Sequence, residues 1–259
     1  MSPRSVLRPL AIAFLLGGSV GGLATAASAE DLTATCTVNG VDYVATIVGS
    51  GVIMGTENND VIVGSEGADS ICGLGGNDVI CALSGFDDVF PGEGDDQVDG
   101  GPANDKLRGG PGNDDVHGGD GNDAVAGQDG ADDVYGDAEF ENPADLGSDS
   151  VSGGDGDDVH YVGASDRSRP IGLDANANAA DGGPGNDDVV GDGGPDSLVG
   201  GLGNDFLQGA QGDDAVYGNE GADRLAGNQG TDRCDGGTGT DVFNVSQVAA
   251  GCEDIVSIP

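Results

Sequence analysis

Aspartate recurs at every ninth position of this chain, at Asp60, Asp69, Asp78, Asp87, Asp96, Asp105, Asp114, Asp123 and Asp132. The phase slips, resumes at Asp149 and Asp158, and slips again. It then runs through Asp187, Asp196, Asp205, Asp214, Asp223, Asp232 and Asp241. A chain that coils with this period, or a multiple of it, brings the carboxylates into register. Stacked carboxylates repel one another, and the repulsion is relieved by protonation or by a hard divalent cation placed between them. All eighteen aspartates are therefore candidate metal ligands.

The elements that would position them are legible in the same repeat. Two residues after each aspartate stands an apolar side chain, from Ile62 and Ile71 to Leu225 and Phe243, with His160 and Cys234 as the two departures. Six glycine-rich turn formers lead into three residues suited to a short strand, whose central side chain points inward while its neighbours face out. Each repeat thus predicts half a coil. Two repeats make an eighteen-residue turn, and turns stacked at ~4.8 Å place Asp105 over Asp123.

The best copies are Gly109-Gly110-Pro111-Gly112-Asn113-Asp114-Asp115-Val116-His117 and Gly200-Gly201-Leu202-Gly203-Asn204-Asp205-Phe206-Leu207-Gln208. They resemble the repeats-in-toxin, or haemolysin-type, calcium-binding nonapeptide. The resemblance covers about residues 55 to 244. It implies an all-β fold, a right-handed parallel β-roll, or β-helix-like solenoid, with short β-rich caps. It also implies calcium ions between stacked loops, held by the sixth-position aspartates and by loop carbonyls. Calcium suits such loops on chemical grounds, because it accepts six to eight oxygens in loose geometry, whereas magnesium wants a stricter octahedron and zinc prefers nitrogen or sulfur.

The core predicted here is one aliphatic side chain wide. Burying one Val or Leu contributes ~1.5–3 kcal/mol, while ordering nine residues costs ~10 kcal/mol or more, so apolar burial alone does not fold a repeat. The expectation is a metal-free chain that is largely disordered and a chain that folds as calcium binds.

Composition narrows the function classes. The chain has 47 acidic and 8 basic residues, a net charge of −39, and no basic patch to hold a phosphate backbone, which argues against nucleic acid as a partner. Arg4 and Arg8 precede an apolar run from Leu10 to Leu16, and Ala27-Ser28-Ala29 supplies a small-x-small cleavage pattern. Residues 1–29 therefore read as a secretory signal peptide, with no membrane-spanning segment left after cleavage, because glycines interrupt the apolar run early. The expected location is extracellular, where calcium is plentiful.

The predicted organisation is an N-terminal cap over residues 30–54, repeats over 55–136, 147–160 and 182–244, insertions at 137–146 and 161–181, and a C-terminal cap over 245–259. Five cysteines in an exported chain predict disulfides. Cys234 and Cys252 are eighteen residues apart and stack if the coil continues. Cys36 has two possible partners, Cys72 and Cys81, and the spacing does not choose between them. His117 takes an outward strand position expected to be solvated, and His160 stands where an apolar residue belongs, as a local register defect would place it.

Catalytic patterns are missing. Glycine runs such as Gly73-Leu74-Gly75-Gly76 lack the strand-loop-helix setting of a phosphate loop, and no EF-hand, serine elbow or zinc motif occurs. Enzymes with such repeats usually carry their activity on a separate domain. The leading expectation is a non-enzymatic calcium-binding protein. A calcium-dependent adhesin, presenting a surface or the insertions to a cell-surface partner, is the second reading. A secreted carbohydrate-active or hydrolytic enzyme using paired acids is the third.

Overall fold

The computed structural model describes residues 34–137, 148–156, 158–161, 176–243 and 252–258. The predicted signal peptide, nearly all of the first insertion and residues 162–175 of the second lie outside these. So do residues 245–251 and 259 of the predicted C-terminal cap.

Two parallel sheets of eleven strands each make up the body. One runs from Val52–Met54 through strands such as Lys106–Pro111 and Ala124–Asp129 to Cys252–Ile258; the other runs from Ile47–Val48 through Asp115–His117 and Asp133–Tyr135 to Val242–Phe243. Successive strands in the chain alternate between the sheets, so the backbone winds as a coil, and among the described residues there is no helix. The fold is a parallel β-roll.

The register is that of the nonapeptide doubled. Leu107 pairs with Val89 on one side and Val125 on the other, and Val116 pairs with Val98 and Val134. The eighth-position side chains, Ile62, Ile80, Leu107, Leu198 and Leu207 among them, are fully buried and form one continuous cluster between the sheets. The loops need positive φ where only glycine adopts it cheaply. Gly112 has φ 149°, and any Cβ there would run into the carbonyl of Gly94 one turn earlier.

His160 is a correction to the sequence reading. It pairs in register with Val134 and Val189, is fully buried, and takes its place in the core without any slip. The long connections on either side of its turn absorb the change of phase, so the histidine itself marks no register defect.

The segment before the repeats divides in two. Ile47–Val48 and Val52–Met54 begin the two sheets, while Thr35–Val38 and Val41–Val44 form an antiparallel hairpin. The hairpin lies on a face of the roll. Cys36, Val38 and Ala45 pack against Val63, Val79 and Cys81, and Asn39 Nδ2 donates to Asp115 Oδ2 at 2.6 Å. It settles there because Val61, Val63 and Val79 put apolar groups at outward strand positions that water would otherwise meet.

Cys36 and Cys81 are bonded, with Cα atoms 5.5 Å apart, and Cys234 and Cys252 are bonded, with Cα atoms 5.4 Å apart. Cys72 has a free thiol, which removes it as a disulfide candidate. It lies beside Met54 and Phe90 on the opposite sheet from the hairpin, out of reach of Cys36. No helix of the described residues is long and apolar enough to cross a membrane.

Candidate metal centre: two aspartate ladders

Each sixth-position aspartate ends a loop just before a strand, where its N–H points along the roll axis. Along one edge, Asp60 N–H donates to Asp78 Oδ1 at 2.8 Å and Asp78 N–H to Asp96 Oδ1 at 2.7 Å. The same bond repeats through Asp114, Asp132, Asp158, Asp187, Asp205 and Asp223 to Asp241. Along the other edge it runs from Asp69 through Asp87, Asp105, Asp123, Asp149, Asn178, Asp196 and Asp214 to Asp232. The predicted aspartates thus fall into two columns, and Asp105 lies next to Asp123 as the doubled period requires.

One carboxylate oxygen is used in the ladder; the other is the chemically interesting one. Oδ2 of Asp78, Asp87, Asp96, Asp105, Asp114, Asp123, Asp132, Asp205, Asp214 and Asp223 is buried with no hydrogen-bond partner. A carboxylate oxygen buried unsatisfied is costly, and a ligand that meets it recovers that cost. Carbonyl oxygens converge on the same places. A Cβ added at Gly109 would come within 2.7 Å of both Asp114 Oδ2 and Gly127 O, and one at Gly118 within 2.6 Å of both Asp123 Oδ2 and Gly136 O. Glycine at the first position of the repeat therefore keeps open a cradle of oxygens from two successive turns. Buried, oxygen-only and partly anionic, this donor set fits calcium.

The beginning of the roll differs. Asp60 Oδ2 accepts from Thr56 N–H and Oγ1–H, each at 2.8 Å, and Asp69 Oδ2 accepts from Ser65 N–H at 2.7 Å and Oγ–H at 2.9 Å. Hydroxyl side chains at the second repeat position satisfy these two carboxylates from within. Further along, Asp196 Oδ2 accepts from Asp192 N–H at 3.0 Å.

Electrostatics follow from the stacking. Burial, joined by neighbouring carboxylates and opposed by the pull of the ladder N–H, raises the carboxyls of Asp105 and Asp114 to about 7. For the same reasons Asp123 and Asp196 rise to about 8, and Asp78, Asp96, Asp132, Asp205 and Asp214 to about 6. Without a cation, Asp123 and Asp196 hold a proton near neutrality and Asp105 and Asp114 do so in part.

Several residues escaped the sequence reading. Asn178, inside the segment assigned to the second insertion, fills a ladder position and accepts Asp149 N–H at 2.8 Å through its Oδ1. The fifth-position residues form an outer ladder of opposite direction, in which Asn77 N–H donates to Asn59 Oδ1, Asp95 N–H to Asn77 Oδ1, and Asn113 N–H to Asp95 Oδ1. The recurrence of Asn or Asp just before the periodic aspartate was its visible signal. His117 corrects another expectation: it is buried, stacks on Tyr135 at 4.4 Å between ring centroids, and places Nε2 2.8 Å from Asp115 Oδ1. Burial pushes the His160 imidazole down to about 4.

The chain matches the sequence model of the RTX calcium-binding nonapeptide repeat over residues 49–89, 90–125, 109–139, 144–166, 181–216 and 208–243. No curated protein shows a significant match to it. The matched segments take in well over half of the chain and coincide with the coils that carry both ladders. By its repeat, its roll and its register, the chain belongs to the RTX calcium-binding nonapeptide repeat family.

Proposed function

We propose that this is an exported, non-enzymatic calcium-binding protein whose roll forms as calcium binds along the ladders of Asp60 to Asp241 and Asp69 to Asp232. The observation that carries the reading is the row of buried, unsatisfied Oδ2 atoms, with those of Asp78, Asp105, Asp114, Asp123 and Asp223 each beside a carbonyl oxygen of the adjacent turn. A bound calcium ion would supply positive charge and further coordination to these oxygens, and the chain's own part is to hold them in register. Near neutral pH the buried columns either keep protons or bear repelling charges, so the folded state gains whenever a cation enters.

Two disulfides and the signal-like leader support export. A non-catalytic role is supported by the histidines, since His117 is engaged with Asp115 and Tyr135 while His160 is sealed in the core. The aspartates that could act as paired acids each have one oxygen, Oδ1, committed to a ladder bond.

Calorimetric titration of the metal-free full chain with calcium, in two buffers of different ionisation enthalpy near pH 7, tests the proposal. Several calcium ions per chain with release of protons are expected, and magnesium should not replace them. Binding of magnesium with equal stoichiometry and affinity, or no calcium binding at all, contradicts it.

A further inference from the structure

Elsewhere in the core the eighth repeat position carries an aliphatic side chain, Phe243 or the disulfide-bonded Cys234; at residue 160 it carries an imidazole. Packing does not account for the choice. The ring is fully buried, and neither Nδ1 nor Nε2 has a hydrogen-bond partner. A polar ring held this way is costly unless something meets it.

What it faces is already built. A Cβ added at Gly153 would come within 2.6 Å of His160 Nε2, Asp158 Oδ2 and Gly182 O alike. At the corresponding points at Gly109 and Gly118 a carboxylate and a carbonyl oxygen converge, and here a nitrogen joins them. The donors come from the strand Val159–Tyr161, from the loop before it, and from Ala179–Pro184, the sheet neighbour of the strand Ser150–Asp155 that carries Gly153.

We propose that His160 Nε2, Asp158 Oδ2 and the Gly182 carbonyl form a binding site for a borderline transition metal, for which Zn2+ is the probe. Calcium takes oxygen ligands and gains little from imidazole, whereas neutral imidazole is a preferred ligand of zinc, copper and nickel. One side-chain nitrogen, one carboxylate and one carbonyl supply three of the four positions of a tetrahedron. The site also has a mechanical place. Its ladder neighbours are 26 residues before and 29 residues after Asp158, where the regular interval is 18, so it sits between the two long connections. A metal held by Asp158, His160 and Gly182 fastens the coil where the chain returns to the stack. The proposal rests on the roll itself and takes Asp158 out of the calcium ladder, so that calcium is left to the other aspartates.

The test uses the full chain in excess calcium, dialysed against Zn2+ and assayed for both metals by atomic emission. His160→Val restores the residue type of its register partners Val134 and Val189, so the variant keeps the fold. The expected result is a single tightly held zinc in the parent chain, its loss in H160V, and unchanged calcium content and circular dichroism. His117→Gln, as a control for the other histidine, retains the zinc. Substituted Co2+ should show ligand-field absorption of a nitrogen-containing site in the parent and not in H160V. Equal zinc in parent and H160V, no zinc in the parent, or loss of zinc in H117Q instead would each overturn the assignment. Calcium content, read in the same samples, reports separately on the ladders.

Discussion

Substituting Asp114 by Asn and by Ala separates the two tasks of its carboxylate. Oδ1 accepts Asp96 N–H at 2.8 Å, and Oδ2 is buried beside Gly127 O without a hydrogen-bond partner. Asp114→Asn keeps an acceptor in the ladder, as Asn178 already does in the other column, and removes only the charge. Asp114→Ala removes both and leaves the Asp96 N–H buried with nothing to bond. That loss costs ~1–3 kcal/mol. Both variants should bind less calcium than the parent. With calcium saturating, D114A should fall below D114N by ~1–3 kcal/mol, equivalent to a thermal midpoint lower by ~2–4 °C per kcal/mol for a domain of roughly this size. Urea denaturation followed by circular dichroism, at fixed calcium, reads the difference. A D114A as stable as D114N would refute the ladder bond as a contributor. A D114N with the calcium content of the parent would refute Oδ2 as a ligand.

Four further outcomes follow from the same geometry. In metal-free buffer the raised carboxyls of Asp105, Asp114, Asp123 and Asp196 bind protons in the roll that the unfolded chain has already lost. Their contribution to stability is therefore fully present below about pH 4 and is lost as pH rises through about 7 to 8; β signal that grows with pH in the absence of metal would contradict this. Gly118→Ala drives a Cβ against Asp123 Oδ2 and Gly136 O, so it should abolish calcium binding at that slot in a calcium-content assay, and binding unchanged from the parent would count against the cradle. Leu107→Ala, at a fully buried site, should cost ~2–5 kcal/mol in a denaturation curve taken with calcium. Cys36→Ser should free the hairpin from the sheet face and expose its amides to hydrogen exchange while the ladders' coils stay protected, and protection lost throughout would show instead that the hairpin holds the whole roll.

The roll was legible because one period carries every layer of its construction. Asp at the sixth position and an aliphatic residue at the eighth set the ladder and the core together, and the doubled period alone puts Asp105 beside Asp123. Asn178 was not legible, because a search for carboxylates passes over an amide, although the ladder bond needs only the Oδ1 acceptor that both share. The roles of Thr56 and Ser65 depend on a hydroxyl reaching forward four residues to Asp60 and Asp69, a local contact that the glycine pattern at the second position conceals. The choice of Cys81 over Cys72 turned on which face the hairpin covers, and that is decided by the apolar outward residues Val61, Val63 and Val79. For His160, spacing identified an unusual residue, and only packing showed that it points with Asp158 and Gly182 into one small volume.

In the function proposed above, calcium binding and folding are one equilibrium. Far-UV circular dichroism of the full chain at neutral pH, titrated with calcium, reversed with chelator and repeated with magnesium, addresses it most directly. A β signal should appear with calcium, disappear with chelator and not form with magnesium. A β signal already complete in chelator, or a chain that stays unordered at saturating calcium, would contradict it.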